Sequence, residues 1–280
     1  MSIITPSLRT ALVALALTAG SAAAQVFDVN LVQNPSAENG AAAPTPGGLV
    51  AIPGWLAAGT PTVLSYGAHA GFPTPASPGA PARGSKFFVG GPNAATSSLA
   101  QFLDVSAGAA VIDGDDVPYT VSAYLGGNGS DDDNTKLSLV FSDGVGTSLG
   151  TVTLSGPFAG QRGGVSGMLL RSRSGLVPAG TRSISVTLTL ARIGAGYNDA
   201  NADAVSLVLA TPPACGSTDF DGDGDEGTDA DIEAFFAVIG GGACPTGTCG
   251  GIDFDGDGDE GTDADIEAFF RVIGGGACEG

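Results

Sequence analysis

Residues 182–193 read RSISVTLTLARI. Ile184, Val186, Leu188 and Leu190 take one side of this run, and Ser183, Ser185, Thr187 and Thr189 take the other. A period of two marks a strand with one face in a core and the other in water. Similar runs occur at PYTVSAYLGG (118–127), TKLSLVFSDG (135–144), SLGTVTLSG (148–156) and NADAVSLVLA (201–210). FDVNLV (27–32), TVLSY (62–66), KFFVGG (86–91) and SSLAQFLDV (97–105) add further strands. Roughly nine to eleven short strands separated by turn residues predict a β-sandwich over residues 25–210. No amphipathic helix is predicted before residue 228.

The composition agrees with a mainly β body: Gly is abundant, at 46 of 280 residues, and only 14% of residues are charged. The net charge of −19 is concentrated at one end. Residues 215–280 hold 12 Asp and 5 Glu against one Arg, giving −16, which leaves −3 for residues 1–214. An acidic tail argues against nucleic acid or an anionic membrane as partner and favours hard cations. At the other end, Arg9, the apolar run ALVALALTAG (11–20) and Ala22-Ala23-Ala24 predict a cleaved secretory signal over 1–24, and hence an extracellular chain. The apolar run is too short to predict membrane insertion of the mature chain.

Beyond the linker TPPACG (211–216), the tail is written twice. Residues 219–244 and 253–278 differ only at Ala237 and Arg271. Each copy opens D-F-D-G-D-G-D. Asp219, Asp221 and Asp223 stand at positions 1, 3 and 5 of an EF-hand-like loop, with Gly224 at 6 and the Asp225 carbonyl at 7. The second copy supplies Asp253, Asp255, Asp257, Gly258 and Asp259. Two calcium ions are expected, because three carboxylates converging on one point repel each other without a cation. Position 12 is Ala230, flanked by Asp229 and Asp231. Reading Glu226-Gly227 as a one-residue expansion makes Asp231 and Asp265 the closing ligands, in preference to Asp229 and Asp263. The competing role for Asp231 is the return partner of a Thr228 capping box.

Ile232, Phe235, Phe236 and Ile239 then fall on one face of a helix, with Gly240 in the C′ role. Such a helix is marginal alone in water. Duplication lets two phenylalanine faces bury each other. All four cysteines lie in the tail, at 215, 244, 249 and 278. An even count in a secreted chain predicts disulfides, and the repeat favours Cys215–Cys244 with Cys249–Cys278. A zinc site would need all four, because the tail has no histidine.

No sequence motif predicts catalysis, and the alternative to a non-catalytic chain is a glycan-active enzyme with carboxylates paired across strands. The one histidine, His69, sits in a Gly/Pro loop, and no G-x-S-x-G, H-E-x-x-H or Gly-rich phosphate loop occurs. Asp131-Asp132-Asp133 is expected to be a solvated hairpin tip, with a calcium or sugar contact as the alternative. Trp55, Tyr66, Phe72, Tyr124 and Tyr197 are the candidate platforms for a glycan. Of these, Trp55 lies in PGW (53–55), whose likeness to galactose-binding-like jelly rolls implies that it packs under the first loop instead.

Two resemblances sharpen these expectations. LVQNPSAENG (31–40) with PGW (53–55), VPAGTRSISVTLTL (177–190) and YNDANADAVSLVL (197–209) resemble galactose-binding-like jelly rolls, the group to which many carbohydrate-binding modules belong. That likeness implies a structural calcium ion shared by Glu38 and Asp203, and a glycan as possible partner. Residues 217–280 resemble a type I dockerin of the cysteine-bearing GC type found on secreted planctomycete-like proteins. That likeness implies a small helical domain of tandem calcium loop–helix units and a cohesin-like or cell-envelope protein as docking partner. The expectation is therefore a secreted, non-catalytic chain: a jelly-roll sandwich held out by a calcium-built anchor.

Overall fold

The computed structural model describes residues 25–114, 117–212, 215–276 and 278. The expected secretory signal lies outside the described residues, as do residues 213 and 214 of the linker. Among the described residues no helix is long and apolar enough to cross a membrane.

Among the described residues, ten strands form two antiparallel five-stranded sheets. The first sheet is ordered β1 (Leu56–Ala58), β4 (Thr96–Asp104), β9 (Ser183–Ala191), β6 (Asn134–Ser142), β7 (Ser148–Ser155). The second is ordered β2 (Thr62–Ser65), β3 (Lys86–Gly91), β10 (Asn198–Leu209), β5 (Pro118–Gly127), β8 (Gly167–Leu176). The alternation in β9 is obeyed residue by residue. Ile184, Val186, Leu188 and Leu190 are wholly buried, and the Ser and Thr residues between them are half-buried on the other face. They meet Val121, Ala123 and Leu125 of β5 and Val205, Leu207 and Leu209 of β10 in one core. A second, smaller cluster around Leu64, Tyr66, Phe87, Val89 and Met168 is built from residues of β2, β3 and β8.

Three local expectations need correction. FDVNLV is not a ladder strand. It runs beside β10 through one parallel bridge, Phe27 to Leu209, with the Asp28 and Leu31 amides donating to the Leu209 and Leu207 carbonyls, and the Asn30 side chain adds two further bonds to β10. Asn30 Nδ2 donates to the Val205 carbonyl, and Asn30 Oδ1 accepts the amides of Val32 and Leu207. A helix does precede residue 228: α1, Ala109–Gly114, is only six residues long and buries just Ile112, so it carries no periodic signal. Strand β8 (GMLLRSRSGL) also escaped notice. It is an edge strand whose Leu170 and Leu176 face water, so the core does not impose alternation on it.

The NPSAENG and PGW segments lock together as the sequence suggests. Asn34, with φ +47°, donates from Nδ2 to the Asn39 and Pro53 carbonyls and accepts the Asn39 amide, and the Trp55 indole N–H donates to the Asn34 carbonyl at 3.1 Å. Trp55 is buried, edge-on to Phe88.

In the tail, α2 spans Asp229–Ile239 and α3 spans Asp263–Ile273. Thr228 and Thr262 are the N-caps, each in a capping box with the Asp three residues on. The left-handed residue after α2 is Gly241 (φ +78°), not Gly240, and the amides of Gly241 and Gly242 return to Val238 and Ala237 in a Schellman pattern. The buried stripe is also rotated from the expected one. Asp231, Ala234 and Phe235 face inward, whereas Phe236 and Phe270 are each 43% exposed. Asp231 turns the helix this way because its carboxylate is bonded into the loop. The rest of the core comes from the loops: Phe220 and Phe254 each meet the ring of their own repeat's helix edge-on at 5.1 Å, and Phe235 and Phe269 stack at 4.1 Å.

The disulfide pairing expected within each repeat is overturned. The bonds are Cys215–Cys278 and Cys244–Cys249. The cause is an exchange of entry segments. Gly216 donates its amide to Phe254 of the second loop, and Gly250 donates to Phe220 of the first. Each repeat's leading cysteine is therefore carried to the trailing cysteine of the other repeat. The glycines are needed there: a Cβ on Gly216 would lie 2.7 Å from the Phe254 ring. The loop-entropy relation makes the bond across 63 positions worth about 4 kcal/mol and the bond across 5 about 2 kcal/mol. Replacing Cys215 and Cys278 by Ser should therefore lower the tail's denaturation midpoint more than replacing Cys244 and Cys249. Calorimetry of the full chain measures the difference, and equal losses would contradict the pairing.

Candidate functional site

The two acidic loops have the same construction. Asp221 Oδ1 accepts the Asp223 amide at 3.1 Å, Asp223 Oδ1 accepts the Asp225 amide at 2.9 Å, and Asp219 Oδ2 accepts the Gly224 amide at 3.1 Å. The second loop repeats these bonds through Asp255, Asp257, Asp259, Asp253 and Gly258. Gly224 and Gly258 have φ of +98° and +95°, a bend that a side chain would strain. The bonds turn the carboxylates toward one point. One oxygen each from Asp219, Asp221 and Asp223 lies within 4.8 Å of the others; in the second loop the group is Asp253, Asp255 and Asp265, with Asp265 in place of Asp257. A calcium ion with oxygens at about 2.4 Å spans that separation. Asp219 Oδ1 and Asp253 Oδ1 are buried and have no hydrogen-bond partner. Burial, and then the charges of the surrounding aspartates, push the Asp221 and Asp255 carboxyls above the usual carboxylate range. Orphaned buried oxygens among crowded carboxylates fit a hard cation.

Asp231 and Asp265 face these loops, while Asp229 and Asp263 are exposed in the first helical turn. Asp231 Oδ1 accepts the amides of Phe220 (2.7 Å) and Asp221 (3.2 Å), and Oδ2 accepts the amide (2.7 Å) and hydroxyl (2.9 Å) of Thr228. Asp265 makes the same four bonds. Burial pushes these two carboxyls up, but the four donors outweigh it and hold them below the usual range. Of the two roles weighed for Asp231, these bonds fill the capping one; the first carboxylate group does not include Asp231, whereas the second includes Asp265.

In the sandwich, Glu38 and Asp203 each have protein donors. Glu38 accepts the Ser85 amide and hydroxyl and the Lys86 amide, each at 2.8 Å. Asp203 is wholly buried and accepts the Tyr66 hydroxyl at 2.6 Å and the Ala204 amide at 2.7 Å. Burial drives its carboxyl up to about 7, with the Glu38 charge adding to the shift and hydrogen bonds from Tyr66, Ala204 and Ser36 opposing it.

Asp131-Asp132-Asp133 is not a solvated tip. Asp133 is wholly buried and accepts the amides of Ile193 and Asp199, both at 2.7 Å, and Asp132 accepts the Ala159 amide. Beside them Arg162, also buried, donates to the carbonyls of Pro157, Gly129 and Asp131. Ile193 lies in the loop before β10 and Asp199 in the register shift at its start, and Asp133 supplies an acceptor for each amide. Asp131, Asp133 and Asp199 make a third close group of carboxylates.

The aromatic candidates are mostly absorbed by packing. Tyr66 is committed to Asp203, and Phe72 meets Tyr197 edge-on at 5.5 Å. Among the described residues of the sandwich, Phe102 and Phe158 are exposed phenylalanines, which the sequence did not single out. Phe158 and Ile193 border a hollow of about 330 Å³ on the water-facing side of the first sheet, floored by Asn134, Lys136, Thr189 and Ala191.

No protein-family model matches the chain, and no curated protein matches it significantly. Among solved structures, the enzymatically active domain of the bacteriophage CBA120 tailspike protein 4 is 16% identical, with a TM-score of 0.42 over 64% of this chain and 21% of the tailspike. A family 16 carbohydrate-binding module is 16% identical, with a TM-score of 0.36 over 64% of this chain and 99% of the module. The CBM22-1 xylan-binding domain of Paenibacillus barcinonensis Xyn10C is 14% identical, with a TM-score of 0.32 over 61% of this chain and 98% of that domain.

The raised carboxyls set a pH dependence. Asp203, at about 7, and Asp199, raised by burial first and then by neighbouring aspartates to about 6, keep their protons to higher pH when folded than when unfolded. Their contribution to sandwich stability is thus largest below about pH 4 and falls as pH rises toward 7. Glu38 and Asp113, both lowered, act in the opposite sense at lower pH. In EDTA, unfolding followed by the fluorescence of Trp55, the one tryptophan, should show a shallower decline between pH 4 and 7 in Asp203→Asn than in the parent chain. Equal slopes would contradict the assignment.

Proposed function

We propose that the chain is a secreted, non-catalytic protein whose C-terminal repeat is a calcium-built, dockerin-like anchor for the β-sandwich. The pair of orphaned buried oxygens, Asp219 Oδ1 and Asp253 Oδ1, carries this reading, because each sits in a group of three converging carboxylates. Two disulfides support an oxidising, extracellular setting. A cohesin-like or cell-envelope protein is the partner this reading implies. Calcium binding adds its free energy to the folding of a module with a small core. Circular dichroism of the full chain should gain helical signal on adding millimolar calcium and lose it with EGTA. An unchanged spectrum would remove the basis of the anchor.

A second reading concerns the sandwich: the hollow bordered by Phe158 and Ile193 takes a neutral glycan. It offers one exposed aromatic face beside amide, ammonium and hydroxyl groups, the combination that sugars need. Glycan-array binding that disappears in Phe158→Ala, while the Trp55 unfolding transition is kept, is the expected result. Binding unaffected by that substitution would place the glycan elsewhere.

A further inference from the structure

We propose that the Pro245–Thr248 loop, closed by Cys244–Cys249, positions Asp221 and makes the first cation site the tighter of the two. This rests on the cation reading of the tail given above. The loops and helices of the two repeats are identical in sequence up to residues 237 and 271, so a difference between the sites has to come from outside them.

The structure places such a difference at Asp221. Thr246 Oγ1 donates to the Asp221 carbonyl at 2.6 Å, and Thr248 Oγ1 approaches the same oxygen at 3.5 Å. The loop is seated closely: a Cβ on Gly222 would lie 3.1 Å from the Thr248 carbonyl. Asp221 is thereby held from three sides. Its amide is bonded to Asp231, its carboxylate accepts the Asp223 amide, and its carbonyl is bonded to Thr246. The short disulfide fixes the loop that carries Thr246, and Cys244 Sγ touches the Thr246 hydroxyl at 3.4 Å.

Among the described residues the second site shows no such brace, and the sequence supplies no hydroxyl for one. Thr246 stands two residues after Cys244, and the residue two after Cys278 is Gly280. Thr248 stands one residue before Cys249, and the residue one before Cys215 is Ala214. Neither counterpart carries a hydroxyl. Among the described residues, no side chain donates to the Asp255 carbonyl. Among the described residues Asp255 thus keeps the amide and carboxylate restraints that hold Asp221, without a side-chain hydroxyl on its carbonyl. A ligand already fixed in its binding orientation costs less to order when the cation arrives, so the braced site binds more tightly.

Calorimetric titration of the full chain with calcium, after EDTA treatment and desalting, tests this. Asp253→Ala leaves the first site and Asp219→Ala leaves the second; the first should have the lower Kd. Adding Thr246→Val should raise the Kd of the first site about 2- to 10-fold, the equivalent of one hydrogen bond, and leave the second unchanged. Thr246→Ser should restore it. Cys244→Ser/Cys249→Ser should weaken the first site alone. Helical circular dichroism at saturating calcium checks that each variant folds. Equal Kd values in the two single-site chains, or a Thr246→Val effect on both sites or neither, would overturn this proposal while leaving the anchor in place. A parent chain that binds no calcium would overturn both.

Discussion

Two buried carboxylates hold the tail together. Asp231 and Asp265 are wholly enclosed, yet each is bonded to four donors divided between the start of its loop and the start of its helix. A buried anion is tolerable only when its oxygens are satisfied, and here the satisfaction is structural information. It sets the helix rotation, so that Phe235 and Phe269 stack while Phe236 and Phe270 stay outside. It also holds the loop in the curve that brings Asp219, Asp221 and Asp223 together. Core and candidate metal site are therefore consequences of the same side chain. Neither repeat is complete alone, because each borrows the other's entry segment and shares the other's phenylalanines.

The sandwich uses the same device in a different setting. Asp133 takes up the amides of Ile193 and Asp199, and the Asn30 side chain supplements the backbone bonds of Asp28 and Leu31 to β10. Polar side chains thus finish the hydrogen bonding where sheet geometry stops. Their burial has an electrostatic consequence: Asp133, Asp199 and Asp203 are all shifted toward the protonated form, burial being the largest cause in each.

Much of this was legible in the sequence. The period of two in SISVTLTL and its counterparts identified eight of the ten strands, because a residue facing a core cannot be polar without a partner. The D-x-D-x-D-G spacing identified both acidic loops, and the Thr–Asp spacing raised the Thr228 capping box as one of two roles for Asp231. What escaped notice shares a different cause. Strand β8 is an edge whose apolar residues face water, so no alternation is imposed on it. The disulfide pairing depends on how the entry segments cross between repeats, and sequence symmetry within a repeat points to the wrong partner. Phe220 and Phe254 read as loop residues between carboxylates, and only the fold shows them filling the core. Thr246 carries no motif at all; its meaning comes from the carbonyl it reaches.

The central claim is that the tail is assembled around two cations. Counting calcium by atomic emission in the full chain, after gel filtration in calcium-trace buffer, addresses it most directly. The account predicts two ions per chain, falling to one in Asp219→Ala and to one in Asp253→Ala. A chain that elutes without calcium, with α2 and α3 already formed, would contradict it.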